Sequence, residues 1–148
     1  MPAAPGKRGQ QPAAAPLALA WHVGLAAQRS ARRNVAHILN ARGATLDWQR
    51  LLRRFGPHWR VLLSCLVLQG FIYPDARGTI PNWVLDELIS RLGAETAQPA
   101  HTAEVCQGTL LSRSQYLPDT QAWGYRDARL APLGPMSAGD IALWTTST

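Results

Sequence analysis

Cysteine is scarce in this 148-residue chain: Cys65 and Cys106 stand far apart, with no CxxC pattern and no histidine at ligand spacing. That excludes a disulfide scaffold and a cysteine-based zinc site, and it suits free thiols in a reducing compartment, so cytoplasmic placement is expected. Acid is missing from one end. Residues 1–46 contain six Lys and Arg and no Asp or Glu, whereas residues 47–148 contain nine basic and nine acidic residues. The formal charge of +6 therefore belongs to a basic leader, and the remainder is neutral. A neutral body is a poor partner for phosphates, so nucleic acid is not the expected ligand. A small basic module whose arm contacts nucleic acid is the alternative.

Long apolar runs are also lacking. Val61–Tyr73 is the longest, and its 13 residues fall short of the roughly 20 that a bilayer requires, so no membrane span is expected. Residues 2–16 are Pro, Ala, Gln and Gly around one Lys-Arg pair, a composition that cannot bury enough surface to fold. Residues 17–27 (LALAWHVGLAA) behind positive charge resemble a targeting segment, but Trp21, His22 and Gly24 interrupt the apolar run. Arg makes up fourteen of the fifteen basic residues, and with abundant Ala it points to GC-rich coding; a leader read from the wrong start or frame has this composition. Residues 1–33 are thus expected to be a disordered basic leader and 34–148 the folded part.

Catalytic patterns are absent as well. The nine acids include no pair two positions apart, and adjacent Asp86 and Glu87 point about 100° apart on a helix, as a solvated face would. His22, His37, His58 and His101 show neither HExxH nor HxH spacing, and there is no G-x-S-x-G elbow or phosphate-cradling glycine loop. No catalytic and no metal-binding residue is expected.

What is present reads as helix. Val35, Ile38 and Leu39 share a face of a helix over Arg33–Ala41, and Gly43 follows as a stop. Asp47 caps Trp48–Phe55, where Trp48, Leu51, Leu52 and Phe55 recur at helical spacing. Arg50, Arg53 and Arg54 take the solvated face; with Arg60 they form either a phosphate site or, as preferred here, guanidinium heads kept wet over apolar stems. Gly56-Pro57 leads into a central helix to Tyr73, apolar nearly all round, with Cys65 packed inside it. Pro81–Leu92 follows, with Leu85, Leu88, Ile89 and Leu92 as its stripe, Trp83 off that stripe but packed at the helix start, and Gly93 as its end. Residues 94–107 show no periodicity. Ser112 caps a short helix bounded by Pro118, Trp123–Pro135 reads as an ordered surface loop, and Ser137 with Asp140 signals a last helix at Ile141–Trp144. The expected fold is all-α, a small domain of four to five helices without a convincing strand.

The stretch Leu46–Leu92 (LDWQRLLRRFGPHWRVLLSCLVLQGFIYPDARGTIPNWVLDELISRL) resembles the C-terminal helical region of a bacterial nucleotidyltransferase-like family. Val105–Arg129 (VCQGTLLSRSQYLPDTQAWGYRDAR) and MSAGDIALWT are similar to its tail, and Asn34–Gly43 to its introducing helix. In such a family the catalytic core precedes the helices and carries a Gly-Ser turn and an Asp-x-Asp pair. That core holds magnesium and nucleoside triphosphate. Neither motif occurs in this chain, so the resemblance transfers no catalytic residue and no cofactor. It implies a truncated relative, inactive alone, whose partner is a separate nucleotidyltransferase core or a second copy meeting it through an uncovered apolar face. Trp123, Tyr125 and Arg126 are the candidate substrate-binding residues, because aromatic and guanidinium groups in an ordered loop serve binding more often than packing.

Overall fold

A computed structural model describes residues 35–112 and 114–146. The expected leader, with its targeting-like run and its basic cluster Arg29, Arg32 and Arg33, lies outside the described residues. The chain is mostly helical, as expected, and divides into two compact units at Glu95/Thr96.

The first unit is built from α1 (residues 35–42), α2 (Trp48–Phe55), α3 (Trp59–Ile72) and α4 (Asn82–Thr96, whose last residue falls past the division). Asp47 caps α2 as expected, its carboxylate accepting from the Arg50 N–H at 2.9 Å. Gly56 ends α2 with φ of 45°, a conformation that favours glycine. Leu39, Trp48, Leu52, Leu62, Leu66, Ile80, Val84 and Leu88 form the core, with Leu51, Phe55, Trp59 and Cys65 packed against it. Trp48 is pinned there because its indole N–H donates to the Gly43 carbonyl at 2.8 Å.

Three expectations need correction. On α1 the buried positions are Ala36 and Leu39, while Val35 and Ile38 are exposed. On α4 the buried face runs through Val84 and Leu88, leaving Ile89 exposed. Gly93 does not end α4. The helix continues one turn further, to Thr96, and within the first unit Arg60 reaches from α3 to Glu95 at 2.9 Å. That ion pair ties the extra turn to the core.

Gln69 on α3 is buried among these side chains, and its Nε2 has no hydrogen-bond partner among the described residues. A buried amide donor left unpaired costs about 1–3 kcal/mol. Gln69→Met, which keeps the volume and removes the polar atoms, is expected to raise stability by about 1 kcal/mol in urea titration. A loss of similar size would show that the amide is satisfied in solution.

The second unit holds α5 (Leu117–Gln121), α6 (Ala138–Thr146) and two strands of two residues each, β1 (Val105–Cys106) and β2 (Arg126–Asp127). The strands pair in parallel, Val105 opposite Arg126 and Cys106 opposite Asp127, a feature the sequence reading lacked. Ser112 does not cap a helix as expected: it accepts from the Gln115 N–H at 3.3 Å within a turn, and α5 begins only at Leu117, with Pro118 in its first turn. Ser137 and Asp140 form a reciprocal cap, with Asp140 N–H donating to Ser137 Oγ at 3.2 Å and Ser137 N–H to the Asp140 carboxylate at 2.9 Å. The Ser137 hydroxyl, which donates to the Asp140 carboxylate at 2.6 Å, and then the Ser137 N–H hold that exposed carboxyl below its ordinary value. Neither Cys65 nor Cys106 forms a disulfide. No helix among the described residues is long and apolar enough to cross a membrane.

Candidate binding surfaces

In the first unit two surfaces stand out. The outer face of α3 turns Ser64, Val67 and Phe71 to solvent, opposite the buried Leu62, Leu66 and Gln69. Val67 is 63% and Phe71 83% exposed, one turn apart. The sequence reading made α3 apolar nearly all round and therefore wholly buried; one of its faces has no cover among the described residues of this unit.

The other surface is a wide, shallow hollow of about 780 Å³ between α2 and α4. Leu52 forms its floor, Gln49 and Arg53 come from α2, and Trp83, Asp86 and Ser90 come from α4. The α4 residues recur at i, i+3 and i+7, so they share one helix face. Trp83 is 46% exposed there, not packed at the helix start as expected. The signal was available, because a tryptophan placed off its helix's apolar stripe has no core to enter. Glu87 and Arg91 also line the hollow and pair with each other at 2.7 Å. Arg53 and Asp86 make no ion pair with any described residue, and neither takes part in a side-chain hydrogen bond there. Arg60, expected to join Arg50, Arg53 and Arg54 in a basic cluster, is committed to Glu95 and lies over the Trp59 ring at 5.1 Å.

In the second unit, Trp123 and Tyr125, singled out from sequence, stand on the turn between α5 and β2, and Arg126, the third, opens β2. Trp123 and Tyr125 are 53% and 42% exposed, and Arg126 is exposed. Backbone hydrogen bonds fix the turn: Trp123 N–H donates to Pro118 O at 3.1 Å, Tyr125 N–H to Asp119 O at 3.0 Å, and Arg126 N–H to Glu104 O at 2.8 Å. Gly124 between the aromatics takes φ of 82°. The turn is therefore ordered and displays the three side chains, although nothing brings them onto a common ligand.

Beneath the turn, the strand alternation sends Asp127 inward. Arg129, expected on a surface loop, is buried, and its Nη2 meets the Asp127 carboxylate at 2.7 Å while its Nε donates to the same group at 3.1 Å. The single hydroxyl proton of Thr109 serves either the Cys106 carbonyl, 3.2 Å away, or Asp127. Burial pushes the Asp127 carboxyl up, but hydrogen bonds from the Arg129 side chain and backbone and from Thr109 outweigh it and hold the group below its ordinary value. This pair is a structural staple.

Among the described residues no three His, Cys, Asp or Glu side chains cluster as a metal site requires. Comparisons with protein-family models, with curated proteins and with solved structures give no match.

Proposed function

We propose that this chain is a helical association module, not itself a catalyst, that covers its α3 face with a partner chain. The observation that supports the reading most directly is the near-complete exposure of Phe71 beside Val67 on that face. An aromatic side chain left in water forfeits the free energy its burial would supply, and contiguous exposed apolar groups mark interaction sites. The resemblance of Leu46–Leu92 to the helical region of nucleotidyltransferase-like proteins supplies the partner class, a chain bearing the Gly-Ser and Asp-x-Asp core. In such an assembly magnesium and triphosphate belong to the partner, and this chain contributes helical surface.

The test is a photo-crosslinking residue placed at Phe71, with Arg77 as an exposed control, in cells that make the protein. The expected result is one strong crosslink from position 71 to a chain carrying the Gly-Ser and Asp-x-Asp pattern. Crosslinking to a chain of another class overturns the nucleotidyltransferase assignment, and equal labelling from both positions overturns the association reading. The purified chain alone, given labelled nucleoside triphosphate and Mg²⁺, is expected to show no transfer; turnover would overturn the non-catalytic assignment.

A further inference from the structure

We propose that the α2–α4 face pairs with the same face of a second copy of this chain across a two-fold axis. In a two-fold contact, residue i of one copy meets residue j of the other and j meets i. A patch holding one uncommitted cation and one uncommitted anion therefore neutralises both charges against itself. The hollow has this composition. Arg53 projects from α2 and Asp86 from α4, and neither finds an ion-pair partner among the described residues. The other two charges that line the hollow, Glu87 and Arg91, are spent on each other at 2.7 Å.

The apolar content agrees. Trp83, half exposed, stands with the Leu52 floor inside a charged border, and an aromatic centre with a polar rim is the usual anatomy of a protein interface. The mixed sign argues against a polyanion, because Asp86 and Glu87 would repel the phosphates that Arg53 attracts. The surface is small, drawn from two short stretches of helix, so the dimer is weak and depends on concentration. It stands apart from the α3 face and does not depend on which partner covers that face.

Sedimentation velocity of the full chain over a wide concentration range tests the pairing. A concentration-dependent dimer is expected for the native chain. Arg53→Glu and Asp86→Arg are each expected to weaken it about tenfold or more, because each places like charges opposite one another. The double variant R53E/D86R restores both attractions, and its dimer is expected to return to within about threefold of native. An equimolar mixture of the two single variants is expected to form a heterodimer, since the two substituted side chains then face each other with opposite charge, as do the native Arg53 and Asp86 left on the other copy of each pair. Trp83→Ser, which leaves every charge in place, is expected to weaken the dimer as well. Circular dichroism should be unchanged, because neither charged side chain holds another element in place.

A chain that stays monomeric throughout overturns the proposal, as does a dimer indifferent to both reversals or one that the double variant fails to restore. A dimer abolished by Phe71→Ser but untouched by the reversals would remove this inference and leave the α3 association reading standing.

Discussion

Arg129→Met is expected to loosen the second unit by about 3 kcal/mol, the lower end of the range for leaving one member of a buried pair uncompensated. The side chains of Arg129 and Asp127 are only 6% and 11% exposed. Removing the guanidinium strands the Asp127 carboxylate without its two strongest donors, and the Arg129 backbone N–H at 2.9 Å cannot replace them. Asp127→Leu combined with Arg129→Met removes both charges and is expected to recover at least about half of the loss, since replacing a whole pair costs less than halving it. Hydrogen exchange of the amides in residues 105–136 reads the effect without requiring the chain to unfold in one step. A single-variant loss below about 0.5 kcal/mol would mean that the pair is solvated.

The same pair gives the unit a direction in pH. Asp127 has a folded-state pKa below its ordinary 3.8, so the stability it contributes is complete above the unfolded value. It is lost as pH falls through the lower folded value, and the acid sensitivity of these amides should disappear in the double variant.

Gly134→Ala is the second large effect, expected to cost about 3 kcal/mol or more. A methyl at this position would lie 2.5 Å from the carbonyl oxygens of both Ala128 and Arg129. Those are main-chain atoms that cannot swing aside. Gly134 N–H donates to Leu130 O at 3.0 Å, and Met136 N–H donates to Arg129 O at 2.9 Å, so the turn is closed from both sides. Gly93→Ala is the contrasting control. A methyl there meets nothing within 4 Å on α4, and the greater helix propensity of alanine should stabilise by about 0.5–1 kcal/mol. If both substitutions behave alike, the close approach at Gly134 does not persist in solution.

Much of the helical framework was legible because its signals are local. Asp47 before an amphipathic run, and Ser137 three residues ahead of Asp140, specify helix starts through side chains that reach only their own first turn. Periodicity on α4 gave the helix but chose the neighbouring stripe: Leu85, Leu88, Ile89 and Leu92 are as regular as the Val84–Leu88 face that is actually buried. Only packing against the rest of the unit decides between two overlapping stripes whose centres lie about 70° apart. The β1–β2 pair joins segments some twenty residues apart and only two residues long, too short for alternation to register. The burial of Arg129 had a readable sign. Asp127 and Arg129 are two positions apart in WGYRDAR, and an aspartate that opens a turn accepts from the N–H two residues on, which brings Arg129 back onto its carboxylate. Trp123, Tyr125 and Arg126 are exposed because an ordered turn displays them, whereas Trp83 is exposed because it lies off the stripe that its helix buries.

The division at Glu95/Thr96 separates two kinds of cohesion. One unit rests on oily contacts among Leu39, Trp48, Leu62, Val84 and their neighbours; the other rests on a carboxylate–guanidinium clasp and a hydrogen-bonded turn. Melting the first exposes hydrocarbon and carries most of the heat-capacity increment, while melting the second carries little of it. Calorimetric curvature therefore reports on one half of the molecule and proton linkage on the other.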